Sequence, residues 1–589
     1  MEITRRSLLG ASAAVGAGLL LPLRMTTSAN AVVPAGVLPF TEQLPTLTSL
    51  GVIDATTGVP ATINMVNATH TFHSALAPTP TFTYRAAGGT QDYLGPVIVA
   101  RQGVPFDLTV TNSLGAHPLA AAIDTTHVGG AVPADASTPR ASTHLHGGNT
   151  DPANDGDPTD FFLPGSSKTY HYGNTQEAAG LWYHDHALGI TRLNVLAGLA
   201  GGYLIRNGDD DGSGTKLPPP PYEVPLIIQD RMFNANGTFA YPANVNPGTA
   251  GWLWAPEFFG DVSTVNGKAW PNLNVALGKY RFRVYNGSNA RFYNFKLKAS
   301  NGTTLSFFQI GSDGGLLNAP VPLTKLLLAP GERADVVVDF AALPVGTKVV
   351  LTNDAPVPFP GGARKARKGG MPLPQIMQFT VTGGVGWQDP LPASLRVTPI
   401  TRYTAAQAVN AADPRRMTLV EDLNASGSPV MVVLNNRNFD PNPLNPENAH
   451  VGTNTLEQWD IVNTTVDAHP IHLHFTQFQV LNRQKFDAAG YFAAAYGVQP
   501  LTTGVGAVPP PPVTPFLRGG TAAPAANELG WKDTVVAMPG EVTRILAPFG
   551  ANIAGVQTAF QTSFTGSYVW HCHILEHEDN DMMQRYVIQ

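Results

Sequence analysis

The residues with the most chemistry in this 589-residue chain stand almost side by side: Trp570-His571-Cys572-His573-Ile574-Leu575-Glu576-His577, with Met582 just beyond. Cys572 is the only cysteine, so no intrachain disulfide can form and the thiol is free, intermolecular or metal-bound. A thiolate with one His five residues on and a Met ten residues on can supply the sulfur, one nitrogen and a weak axial thioether of a blue-copper site. One more His must arrive from elsewhere. The two flanking histidines, His571 and His573, then point to other metals. Zinc competes for any His/Cys set, but a redox-inert ion would make no use of ligands to different sites joined through one backbone.

Ten of the 16 histidines fall in four short windows: His144-Leu145-His146, His184-Asp185-His186, His469-Pro470-Ile471-His472-Leu473-His474, and His571-Cys572-His573 with His577. A single H-x-H is weak evidence, whereas four such pairs in one chain are strong. Residues i and i+2 of a strand project to the same side, so each pair offers two imidazoles to neighbouring metals. The other six, His70, His73, His117, His127, His171 and His450, fit no window and read as surface or hydrogen-bonded structural histidines.

The elements that must carry these windows read as strands. Apolar and polar residues alternate in Phe106-Asp107-Leu108-Thr109-Val110-Thr111-Asn112 and in Tyr280-Arg281-Phe282-Arg283-Val284-Tyr285-Asn286, and less regularly in Trp459-Asp460-Ile461-Val462-Asn463. The closing asparagines lie 174 and then 177 residues apart, which suggests a unit repeated three times. Pro-Gly pairs at Pro164-Gly165, Pro330-Gly331 and Pro539-Gly540 mark the same unit, with a longer last interval. The third repeat therefore carries an insertion, and the Ala/Gly/Pro-rich stretch 487–530 is the candidate, a long loop expected to be functional or mobile and to line part of a donor pocket. The expected architecture is all-β: three Greek-key β-sandwich domains over 38–207, 222–385 and 395–589, the middle one without metal ligands. Linkers fit at 207–221, with its Asp/Gly run and four prolines, and at 354–374, whose basic cluster Arg364-Lys365-Ala366-Arg367-Lys368 reads as a solvated loop. Two histidine pairs come from the first repeat and two from the third, so the metals are expected between domains one and three.

Charged residues make up only 13% of the chain, with 59 Gly and 51 Pro, a turn-rich composition that favours β architecture over helical bundles. A formal net charge of −6 and the lack of a basic stripe argue against a nucleic-acid partner, and no apolar run beyond the N-terminus approaches the roughly 18 residues of a membrane span. Thr4-Arg5-Arg6-Ser7-Leu8-Leu9, an Ala/Gly/Leu segment to Leu21 and Ala29-Asn30-Ala31 read as a twin-arginine export signal over 1–31, with an ordinary secretory signal as the alternative. The mature chain is then expected outside the cytoplasm: extracellular, periplasmic or in the cell envelope.

The four windows in this order resemble those of the multicopper oxidases over essentially the whole mature chain. So do Ile227-Ile228-Gln229-Asp230-Arg231, Gln309-Ile310-Gly311-Ser312-Asp313-Gly314-Gly315 and Gly530-Trp531-Lys532-Asp533-Thr534, which look most like the branch of bacterial spore-coat laccase, bilirubin oxidase and phenoxazinone synthase. The resemblance implies cupredoxin-like domains and four copper ions. It gives His469, Cys572 and His577, with Met582 axial, to the type 1 copper, and His144 and His472 to type 2. His146, His184 and His573 would take one type 3 ion, and His186, His474 and His571 the other. It further implies that Glu578 and Asp155 deliver protons for dioxygen reduction; the alternative is that they only orient ligand histidines.

The implied activity couples four one-electron oxidations of phenolic, aminophenolic or related small aromatic donors to reduction of dioxygen to water. Bilirubin-oxidase or phenoxazinone-synthase chemistry, or oxidation of cuprous or ferrous ions, are the enzymatic alternatives. Eleven methionines without a cluster favour an organic donor over cuprous ion. A copper-free exported structural protein on the same fold is the non-enzymatic alternative, opposed by the complete ligand set.

Overall fold

The computed structural model describes residues 33–34, 36–126, 130–242, 253–361, 372–423, 429–499, 501 and 509–589. The expected export signal, His127, the basic cluster 364–368 and part of the 487–530 insertion lie outside them. Six sheets form three cupredoxin-like sandwiches whose strands run from Val52 to Arg206, Glu223 to Val385, and Arg415 to Ile588. Sheet neighbours are often far apart in sequence, as where Val97–Arg101 lies parallel to Ala200–Arg206, the crossover pattern of Greek keys. Among the described residues the α-helices are short, the longest being Ala488–Tyr496, and no helix is long and apolar enough to cross a membrane.

The threefold repeat has a physical basis. Strands Phe106–Ser113, Lys279–Asn286 and Thr455–Asn463 each pair antiparallel with the strand that follows a Pro-Gly turn. In each, the asparagine is buried and its carbonyl accepts the N–H of the turn glycine: Asn112 from Gly165 at 2.7 Å, Asn286 from Gly331 at 2.9 Å and Asn463 from Gly540 at 3.2 Å. Each Asn side chain also accepts the backbone N–H two residues on and donates to two further carbonyls. One residue thus satisfies several buried polar groups at a strand end, which only an amide of this length can do.

Alternation has a different meaning in the middle repeat. Its strand Lys279–Asn286 is buried on both faces, because Arg281 and Arg283 enter an ion cluster with Asp210, Glu223 and Asp335. Asp210 sits in the 207–221 segment, so that linker is pinned: Arg281 reaches both Asp210 oxygens at 2.8 Å and Arg206 completes the set. The insertion likewise departs from a plain loop. Alanines and an Asp487 N-cap that accepts the Gly490 N–H make residues Ala488–Tyr496 helical. Tyr491 and Phe486 pack with Val420, Val462 and Val542. Gln499 and Leu501 bond to Glu421, Asp422 and Leu423 at the end of strand Arg415–Leu423.

Candidate metal centre

Two adjacent strands sort the ligands of the third sandwich between two sites. His469–Leu473 pairs antiparallel with Gly566–Cys572, setting His472 opposite His571 and Ile471 opposite Cys572. Opposed residues share a face, and odd and even positions alternate. His469 and Cys572 therefore look to one side, while His472, His474, His571 and His573 look to the other. In the first sandwich, strand Thr143–His146 pairs with Gly180–Asp185 so that His144 lies opposite His184. All ten windowed histidines and Cys572 are buried.

On the Cys572 side, Sγ lies 3.5 Å from His469 Nδ1 and 3.6 Å from His577 Nδ1, and the two nitrogens are 3.2 Å apart. His577 sits on the helical turn Leu575–Glu578, which is held from three directions. The Glu576 carboxylate accepts from Tyr241 at 2.9 Å and Asn289 at 2.8 Å, and the Glu576 carbonyl accepts from Trp254 Nε1 at 2.8 Å. Met582 is fully buried; its N–H donates to the His577 carbonyl and its carbonyl accepts from Cys572, each at 3.0 Å. Strand register sets Met583 opposite His571.

On the other side, eight histidines from the first and third sandwiches converge. His186, His474 and His571 bring their Nε2 atoms to 3.2–3.3 Å of one another. Their Nδ1 atoms face carboxylates: Glu578 lies 3.2 Å from His186 and 3.1 Å from His571, and Asp155 lies 2.6 Å from His474. His146, His184 and His573 form a second group, and His144 joins His472 and His474 in a third. Trp182 lies against His184, with ring centroids 4.3 Å apart. His144 and His472 turn Nδ1 to the carbonyls of Asp155 and Asp533.

These donors fit metal ions. With the Nδ1–H of His474 donated to Asp155, that of His571 to the Cys572 carbonyl and that of His186 turned toward Glu578, three Nε2 lone pairs meet face to face, which is repulsive unless a cation stands among them. His144 Nε2, His146 Nδ1, His184 Nε2, His472 Nε2 and both nitrogens of His573 are buried without a hydrogen-bond partner. Each such orphan costs about 1–3 kcal/mol when left unmet. Burial holds every one of the ten histidines below the usual imidazole range, to about 3 for His469 and about 4 for His571, so they are neutral donors, as metal binding requires. Burial, then the charges of Glu578, Glu257 and Glu421, push the Cys572 thiol well up, so a thiolate there needs a metal to hold it. Burial also raises Asp155, and Glu578 to about 7.

Every windowed histidine thus lies in one of these sets, with Asp155 and Glu578 directly behind them. Of the remaining histidines, His70 bonds Asp92 and the Gly267 carbonyl, His73 meets Thr41, His117 meets Asn194, His171 pairs with Asp107, and His450 is exposed. Sequence reasoning gave Asp533 no part, yet its Oδ1 lies 3.1 Å from His146 Nε2. The Gly530–Thr534 motif was its one visible signal.

A family model described as "Multicopper oxidase" matches residues 409–589, and a second with the same description matches 134–210. The chain is 37% identical to a laccase of Bacillus subtilis, covering 89% of this chain and 93% of that protein. It is 35% identical to multicopper oxidase LPR1 of Arabidopsis thaliana, covering 92% of each. Among solved structures it resembles the McoA multicopper oxidase of the hyperthermophile Aquifex aeolicus, with a TM-score of 0.69, 26% identity, 94% of this chain and all of that one.

Proposed function

Because this chain belongs to the multicopper oxidases, copper-dependent oxidoreductases that hold four coppers and act on dioxygen, we propose that it is a laccase-like oxidase of small aromatic donors. His469, Cys572 and His577, with Met582 beside them, would hold the type 1 copper. Type 2 takes His144 and His472. The type 3 pair takes His146, His184 and His573 on one ion and His186, His474 and His571 on the other. Held by these residues, copper would supply one-electron acceptance beside Cys572 and the four-electron reduction of dioxygen to water.

The observation that carries this reading is the junction. Cys572 belongs to one set, and its backbone neighbours His571 and His573 belong to the other, so two peptide units connect the electron-accepting side to the dioxygen side. His577 and His469 are both buried beside Cys572, and the ring edge of one of them is where an organic donor hands over its electron. Glu578 lies against two cluster histidines and Asp155 against a third, which supports the reading that their carboxyls pass protons toward the dioxygen site and keep Nε2 facing inward. The Arg5-Arg6 leader carries the folded enzyme out of the cytoplasm.

A cationic donor, ferrous or cuprous ion, is the second reading, favoured by the buried Glu257 and Glu421 whose charges bear on Cys572. Oxygen uptake measured with a phenol, an ortho-aminophenol, bilirubin, ferrous and cuprous ions separates the two. Turnover of the phenol and aminophenol is expected to lead; uptake driven by the metal ions alone would overturn the aromatic assignment.

A further inference from the structure

The middle sandwich supplies no ligand, yet its turn Pro330-Gly331-Glu332-Arg333 reaches the histidine cluster. Arg333 is buried, and Nη1 and Nη2 donate to Asp533 Oδ1 and Oδ2, both at 2.6 Å, a two-pronged fork. The arginine is itself fixed. Its Nη2 also donates to the Asp313 carbonyl at 3.1 Å, its Nε to the Gly180 carbonyl at 3.2 Å, and its backbone N–H to the Asp313 carboxylate at 2.8 Å.

Asp533 passes that rigidity to two cluster histidines. Its carbonyl accepts from His472 Nδ1 at 2.9 Å, and its Oδ1 accepts from Thr534 at 2.9 Å and lies 3.1 Å from His146 Nε2. His146 is the exception in the cluster. Six others, His144, His184, His186, His472, His474 and His571, turn Nδ1 outward to a carboxylate or carbonyl and keep Nε2 for the interior. His146 does the reverse, with Nε2 on Asp533 and Nδ1 bare and inward. A carboxylate acceptor at that position fixes the proton on Nε2 and leaves Nδ1 as the donor. Asp533, His146 and His472 are close enough together to resemble a metal site of their own, but both carboxylate oxygens are committed to Arg333.

We infer that the Arg333–Asp533 fork is a positioning device for the dioxygen-reducing cluster, through which the ligand-free middle sandwich sets the ring state of His146 and the seat of His472. Neither residue touches the reacting atoms; both act through the histidines. The inference rests on the ligand assignment above, and the two fail differently. Wild-type protein that loads fewer than four coppers, or shows no thiolate-to-copper absorption, would sink the assignment itself.

Given a fully loaded wild type, two variants test the fork. Asp533→Asn removes the charge and keeps the shape. The double variant Arg333→Met with Asp533→Leu removes the buried pair together, so that no lone charge is left to unfold the protein. Each is expected to bind type 2 copper about 10- to 100-fold more weakly. Copper per chain falls below four, the type 2 electron paramagnetic resonance signal is lost or altered, and the thiolate-to-copper band is unchanged. Either variant retaining four coppers with a wild-type type 2 spectrum would overturn the inference.

Discussion

His469, Cys572, His577 and Met582 all come from one sandwich, and three of the four lie between positions 572 and 582. The eight cluster histidines come from two sandwiches, with bracing from the third: His144 to His186 from the first, His472 to His573 from the last, and Arg333 behind Asp533. The mononuclear set therefore depends on two paired strands, one helical turn and their register, with Tyr241, Trp254 and Asn289 of the middle repeat bracing the turn. The cluster depends on how three sandwiches dock, through contacts such as Arg192 with Asp579 and Asp155 with His474. The mononuclear ligands meet through the register of their own sandwich, whereas the cluster ligands meet only when two sandwiches dock.

The largest effect should come from breaking the one residue tied to both. Cys572→Ser removes the soft ligand that holds the thiolate-to-copper band, and turnover of every donor is lost. The cluster histidines keep their strands and carboxylate partners, so copper is expected to fall only from four per chain to three. Copper analysis with visible and paramagnetic resonance spectra checks this; loss of the cluster coppers as well would mean that the two sites are not separately built.

Next comes the carboxylate that faces two cluster histidines. Glu578→Gln keeps the shape but cannot carry a proton, and positioned acids of this kind contribute about a hundredfold or more. Dioxygen consumption is expected to fall by that order, with copper fully loaded and the thiolate band intact. Unchanged turnover across acid pH, with four coppers present, would reduce Glu578 to an orienting role.

The same contrast explains what could be read from the sequence. Ligands that lie two residues apart on a strand announce themselves, because period-two alternation makes H-x-H a geometric statement, and the three-sandwich fold followed from asparagines and Pro-Gly turns that bond to each other. What stayed hidden depends on distant partners. Asp533 meets His146 across 387 positions and Arg333 across 200, and no local pattern encodes either contact. Arg281 and Arg283 read only as the polar positions of an alternating strand, because nothing in their own segment shows Asp210 and Glu223 waiting beneath them. The 487–530 stretch read as a loop because its Gly and Pro outweighed the short alanine run that forms the helix.

Two equivalent turns sharpen the comparison at smaller amplitude. Gly165 and Gly331 both have positive φ, +92° and +82°, and both donate to their repeat's asparagine carbonyl. A methyl group on Gly165 meets open space, whereas one on Gly331 would lie 2.8 Å from Cγ and Cδ2 of His573. Gly165→Ala is expected to cost about 1–2 kcal/mol of stability from the left-handed backbone alone, seen as a modest fall in melting temperature with copper content unchanged. Gly331→Ala bears the same strain, displaces the His573 ring and loses type 3 copper. Equal copper content in the two variants would show that the middle turn is only structural.

The smallest effect belongs to the axial position, where the mononuclear set is tuned rather than assembled. Register puts Met583 opposite His571 and leaves Met582 on the Cys572 side, bonded through its backbone to both Cys572 and His577. A thioether donates weakly to the copper and stabilises its oxidised state, so removing it favours reduction. Met582→Leu, close in volume and fully buried, is expected to raise the type 1 potential in a redox titration while four coppers remain bound, and Met583→Leu is expected to leave the potential where it was. If the Met583 substitution moves the potential and the Met582 one does not, the axial sulfur comes from the other side of the strand, and the face-sorting of ligands by register fails at this residue.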